Sequence, residues 1–215
     1  QGPQPGHADA ELLKNACGSC HTGEGAALSR IAEQRKSPEG WLMTVVRMRQ
    51  HHGLDISAEE QSRLVSYLSN ERGLAPSETE GYRYILERSP NVVEGFTDGG
   101  FFEMCARCHS GARVALQRRS EEEWKLLTHF HLGQYPTTEY QALGRDRDWF
   151  EIALNDIPPQ LVERWPLETD AWSKWKAAEK PEAAGSWRFA VDLPDHGQVE
   201  GRMTAVAAGS GYKLS

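Results

Sequence analysis

A chain of 215 residues with 39% hydrophobic content is long enough for one or two domains but modest in apolar material. Its net charge of -7 argues against nucleic acid and against an anionic membrane surface as partners. No apolar run reaches the roughly 18 residues of a membrane span, and Gln1 to His7 lack the basic and apolar regions of a secretory signal.

Between Asp9 and Ala16, Leu12, Leu13 and Ala16 recur at helical spacing and predict a short helix. It runs into Cys17-Gly-Ser-Cys20-His21, where two thiols at short spacing are followed directly by an imidazole. That spacing attaches a c-type haem: the cysteines form thioethers with the porphyrin and the histidine becomes the proximal iron ligand. Thr22 to Ala26 is loop chemistry. Ser37-Pro38 then opens a helix, with serine as N-cap and proline at the first helical position. Trp41, Val45 and Met48 share nearly one face of it, and Gly53 stops it. Ser57-Ala-Glu-Glu60 is a capping box ahead of Leu64, Val65 and Leu68, and Gly73 and Pro76 end that helix.

Ser77-Glu-Thr-Glu80 reads as another capping box, with Tyr82, Ile85 and Leu86 as its apolar face, and Asn91 to Gly100 as a loop. Phe101, Phe102 and Met104 lead into Cys105-Ala-Arg-Cys108-His109, a second copy of the attachment motif. Ser120-Glu-Glu-Glu-Trp124 is again a capped helix start. The two motifs use every cysteine in the chain and predict two covalent haem c groups. Zinc ligand pairs usually lie nearer in sequence, a thioredoxin-like pair needs only one motif, and disulfides give no reason for a histidine after both pairs. Covalent attachment of this type in bacteria takes place on the periplasmic side. The chain is therefore expected in the periplasm, as a mature form whose signal has been removed.

Aligning Trp41 with Trp124 overlays the two capped helices as an internal repeat. Seven residues further on stand Met48 and His131, the two usual sixth ligands of electron-transfer haems, each on its tryptophan's face. The expected iron ligands are therefore His21 with Met48 and His109 with His131. His51 or His52 competes for the first iron and His129 for the second, although His129 cannot share a helix face with His131. His7 and His196 are read as solvated. A thioether raises the potential and a second imidazole lowers it, so the second haem is expected to receive electrons first. With both irons closed on both sides, the chain alone is expected to be a conduit rather than a catalyst.

Thr138 to Leu154 reads as an amphipathic helical stretch that carries a self-paired Arg145-Asp-Arg-Asp148 and is broken by Pro158-Pro159. Trp165, Trp172 and Trp175 are read as core aromatics. Lys180 to Ser186 has linker composition, after which Trp187, Phe189, Val191 and Leu193 alternate with polar residues as in a half-buried strand. Val199 to Val206 and Tyr212 to Leu214 continue the pattern. The reading is a mainly α dihaem cytochrome c domain over residues 1–180, in repeats of about 8–76 and 77–178. Residues 181–215 would be a linker and the first strands of an incomplete antiparallel all-β domain.

Pro38-Glu-Gly-Trp41 with Arg47-Met48 and His52-Gly53, Ala112 to Arg119, His131 to Pro136, Glu139 to Leu143 and Arg145 to Trp149 closely resemble the α subunit of bacterial quinohemoprotein amine dehydrogenase. The resemblance spans essentially the whole chain and implies an N-terminal dihaem cytochrome domain followed by β-barrel domains, most of which this shorter sequence lacks. It implies assembly with a β-propeller subunit and with a small subunit carrying a cysteine tryptophylquinone, as a heterotrimer. It also implies the oxidation of primary amines to aldehydes and ammonia, with the haems passing electrons singly to a soluble cytochrome c or blue copper protein. All four cysteines serve haem sites, so the quinone and the amine chemistry belong to a partner chain. The residues alone leave two other classes open. A dihaem peroxidase would need an open iron, and a free-standing dihaem carrier would have no enzyme partner.

Overall fold

Local capping chemistry sets where most of the helices begin. The computed structural model describes residues 5–86, 92–96, 99–140, 148–179, 182–193, 195–208 and 211–215, and the chain divides into two units, residues 1–177 and 178–215. In the first unit, α1 (Pro5–Cys17) ends on the first haem-motif cysteine, and β1 (Gln34–Lys36) leads into α2 (Pro38–His52). Ser37 caps α2 by accepting from the Gly40 N–H, and Gly53 closes it in the left-handed region at φ 68°, where a side chain would be strained. In α3 (Ala58–Glu71), the Ser57–Glu60 capping box is formed in both directions.

The next start differs from expectation. α4 (Pro76–Thr79) begins at Pro76 rather than after Ser77, because proline loses nothing at a first-turn position and the Glu78 carboxylate reaches back to the Ala75 N–H at 2.8 Å. A 3-10 turn follows over Glu80–Ile85. Next come α5 (Gly99–Phe101), a π turn over Phe102–Ala106, α6 (Ala112–Ala115), β2 (Gln117–Arg119) and α7 (Glu121–Gln134), which Ser120 caps.

A 3-10 turn covers Pro136–Tyr140. Within the stretch expected to be helical over 138–154, residues 141–147, Arg145 to Arg147 among them, lie outside the described residues, and α8 (Trp149–Glu151) and a π turn over Ile152–Asp156 follow them. Pro158 and Pro159 start α9 (Ile157–Arg164) instead of breaking a helix, since its first turn needs no N–H donors. α10 (Asp170–Ala177) completes the unit and buries Trp172.

Two apolar clusters result, one beside each haem motif. Leu13, Leu28, Trp41, Val45, Leu64 and Leu68 form the first, with Cys17 packed against it. Phe101, Val114, Trp124, Ile157, Leu161 and Trp165 belong to the second, with Cys105 against it. Between them run β1 and β2, paired antiparallel with Arg35 opposite Arg118, Gln34 opposite Arg119 and Lys36 opposite Gln117. These strands are charged yet buried, and they are nearly the same sequence twice: Gln-Arg-Lys-Ser before α2, Gln-Arg-Arg-Ser before α7. Buried charge survives only where it is paired. Arg35 forks onto Glu78 at 2.9 and 3.0 Å and also donates to the carbonyls of Gly73, at 3.0 Å, and Leu167. Glu123 accepts from Arg30 and Gln34, both at 2.7 Å, and from Arg119 at 3.4 Å.

In the second unit β3 (Gly185–Leu193), β4 (Gly197–Ala208) and β5 (Gly211–Leu214) form an open three-stranded antiparallel sheet, not a closed barrel. Its register puts Trp187, Phe189 and Val191 on one face with Met203, Gly201 and Val199, so the strand alternation read from the sequence is present. Among the described residues, no helix is long and apolar enough to cross a membrane.

Candidate functional site: two cysteine–histidine motifs and their facing helices

The first motif forms because α1 ends at Cys17 and the chain turns back on it. The N–H groups of Cys20 and His21 both donate to the Cys17 carbonyl, at 3.2 and 2.9 Å. This turn leaves Cys17 half-buried, Cys20 exposed and His21 half-buried. The second motif repeats the pattern, with Cys105 half-buried on the π turn, Cys108 exposed and His109 half-buried. No disulfide joins any of the four cysteines. Burial, and then the neighbouring Cys20, pushes the Cys17 thiol up to about 11. Among the described residues no group of three or more His, Cys, Asp or Glu side chains converges, whereas a structural zinc site needs four ligands.

Each motif histidine is held by a backbone carbonyl. His21 Nδ1 lies 3.0 Å from the Ser29 carbonyl oxygen, and His109 Nδ1 lies 2.9 Å from that of Ser110. A carbonyl can only accept, so Nδ1 carries the hydrogen and the Nε2 lone pair remains for a metal. This is the outer support usual for a ligating imidazole.

α7 brings His131 to the same place. Its Nδ1 donates to the Leu127 carbonyl at 2.8 Å, and its ring centre stands 6.5 Å from that of His109, with 40° between the ring planes. Metal–imidazole bonds are about 2 Å long, so two imidazoles on opposite sides of one ion have ring centres about 6.3 Å apart. Burial, offset in part by the Leu127 hydrogen bond and reinforced by the nearby His109, Arg119 and Arg47, lowers the His131 pKa and favours the neutral form that ligates metals. His129 points elsewhere: it is exposed, with its ring against Phe150 at 5.2 Å. The residues of the second motif thus fit an ion bound between two imidazoles.

Among the described residues, the first motif shows no comparable ring pair. Met48 is half-buried on α2, two turns after the buried Trp41, whereas His51 and His52 are exposed at the end of that helix. Met48 stands seven residues after Trp41 on α2, as His131 stands seven residues after Trp124 on α7. α2 and α7 are tied where their candidate ligands stand, because the Arg47 guanidinium lies 5.6 Å over the ring of Phe130. His196 is exposed at a turn of the second unit.

Sequence reasoning missed Ser29, Ser110 and Glu94. Ser29 also accepts from the Thr22 N–H at 3.0 Å, closing the first motif's loop. Glu94 accepts from Tyr84 Oη, Ser110 Oγ and the N–H groups of Gly111 and Ala112, closing the second. Ser110 directly follows its motif, and its hydroxyl oxygen also accepts from the Ala112 N–H at 3.2 Å. Nothing in the stretch read as a loop singled out Glu94.

The donor set marks a haem-binding polypeptide. A family model described as quinohemoprotein amine dehydrogenase A, alpha subunit, haem binding, matches residues 7–172, well over half of the chain. The chain belongs to this family. No individually curated protein matches it.

Proposed function

We propose that the chain holds two covalent haem c groups in two cytochrome c-like repeats and serves as the electron-transfer subunit of a periplasmic amine dehydrogenase. Cys17 and Cys20 anchor one haem, Cys105 and Cys108 the other. His21 with Met48, and His109 with His131, would hold the two irons, and haem so bound would supply one-electron chemistry. The observation that carries this reading is the pair His109 and His131, each with Nδ1 tied to a carbonyl and with rings at a two-ligand separation.

The residues divide the labour. The Met48 thioether favours the reduced state at the first site, and the second imidazole at the other favours the oxidised state. All four cysteines are committed to attachment, so the amine-oxidising group, a cysteine tryptophylquinone, resides in a small partner subunit, with a β-propeller subunit completing a heterotrimer. A soluble cytochrome c or blue copper protein accepts the electrons.

Mass spectrometry of the denatured chain tests the reading directly. Two added porphyrin masses, low-spin spectra in both redox states and no amine turnover by the isolated chain are the expected results. No porphyrin mass, or a high-spin iron that binds peroxide, would overturn it.

A further inference from the structure

The two proximal loops are closed by different chemistry. Around His21 the closure is neutral: the Ser29 carbonyl accepts from Nδ1, and the Ser29 hydroxyl oxygen accepts from the Thr22 N–H and hydroxyl. Around His109 it is anionic. Ser110 gives its carbonyl to Nδ1, and the Ser110 hydroxyl is bound by the Glu94 carboxylate. The same carboxylate takes the Gly111 N–H at 2.8 Å, the Ala112 N–H at 3.4 Å and Tyr84 Oη at 2.8 Å. It therefore grips the three residues that follow the histidine.

The segment that bears Glu94 is itself fixed. Phe96 stacks on Tyr82 with ring centres 6.4 Å apart and meets Phe101 at 4.9 Å. A Cβ placed on Gly111 would come within 2.4 Å of the Phe96 ring, so the segment sits directly against the loop. Burial alone would raise the Glu94 carboxyl, but the donors from Ser110, Gly111, Tyr84 and Ala112 outweigh it and hold the group below the usual carboxylate range. The group is thus a fixed negative charge one residue from the histidine's hydrogen-bond acceptor.

We propose that Glu94 is the positioning residue of the second haem's proximal histidine, and that its charge biases that iron toward the oxidised state while leaving the first haem untouched. A negative charge stabilises the more positive ferric state, and a carboxylate behind the acceptor strengthens the pull on the Nδ1 hydrogen and raises the basicity of Nε2. The effect adds to that of the second imidazole and widens the gap between the two sites. The inference rests on the dihaem reading above.

The test is potentiometric titration of the haem-loaded chain in the native, Glu94→Gln and Glu94→Asp forms. The second haem is identified as the one whose spectrum changes in His131→Ala. In Glu94→Gln its one-electron equilibrium should shift about tenfold toward reduction, about 59 mV, while the first haem stays in place as an internal reference. Glu94→Asp should retain most of the native value. If Glu94→Gln does not accumulate, Ser110→Ala, which keeps the carbonyl and removes only the hydroxyl, should move the second haem in the same direction by less. Unmoved potentials, or equal shifts in both haems, with both porphyrins retained would overturn the role of Glu94. Absence of porphyrin mass would instead sink the dihaem reading itself.

Discussion

Arg35 and Arg118 face each other across the β1–β2 pair, and a single carboxylate, Glu78, serves both, forking onto Arg35 and lying 3.5 Å from Arg118 Nε. Both arginines are almost wholly buried, and Thr169 Oγ1 adds a donor to the same carboxylate at 2.9 Å. Two guanidiniums at one point are tolerable only because that anion is there.

Glu78→Gln should therefore destabilise the first unit by about 3–5 kcal/mol, since it leaves buried charges uncompensated. Burial pulls the Glu78 carboxyl upward, but Arg35 and the Ala75 N–H outweigh it, so the folded pKa lies below the ordinary carboxylate value. Its stabilisation is present above the unfolded pKa and is lost as pH falls through the folded one. Urea midpoints of the variant should accordingly fall less steeply with acidification than those of the native chain.

Lys36 is the complementary case. Its ammonium donates to Thr44 Oγ1 at 2.8 Å and lies 4.9 Å over the Trp41 ring, and at 4% exposure it is buried. Burial, followed by Arg119 and Arg47, holds its pKa well below the ordinary lysine value. The unfolded chain then binds this proton more tightly, so stability should rise with pH between the folded pKa and about 10.4. Lys36→Met should abolish that rise and be neutral or stabilising by up to about 2 kcal/mol near neutrality. Denaturant titrations across the alkaline range would reveal the slope.

His131→Ala and His129→Ala separate the two candidate ligands on α7. The first should convert one haem from low to high spin, with the other unchanged. His129→Ala, which removes only an exposed ring against Phe150, should leave both spectra alone. The reverse outcome would move the ligand assignment by two residues.

Gly111→Ala tests the docking of the Phe96 segment. The added methyl would meet Phe96 at 2.4 Å and Phe101 at 3.0 Å, an overpacking expected to cost about 1–3 kcal/mol. A thermal melt reads the loss, and proteolysis between α4 and α5 should become faster.

What could be read in advance was local chemistry. Ser37 and Ser120 announce their helices because a side-chain oxygen next to a helix start has one obvious use, and the cysteine spacing has one too. Pro158-Pro159 misled because proline both ends and begins helices, and only the packing of Ile157 and Leu161 decides which. β1 and β2 were missed because three charged or amide residues in a row look like solvated surface; their burial depends on Glu78 and Glu123, distant in sequence. The doubled Gln-Arg-basic-Ser tetrapeptide was the available clue. Glu94 had none, since its task exists only once residues 92–96 lie against the loop after His109.

The register of β1 and β2 is symmetric about its central pair. Equivalent arginines meet at the centre, and each amide of one copy faces the basic residue of the other, which is how identical chains associate about a two-fold axis. The two similar segments meet here as two copies of one segment would in a homodimer. A dimer of identical halves would have to supply Glu78 twice or not at all. Within one polypeptide a single carboxylate, Glu78, sits off that axis and serves both arginines.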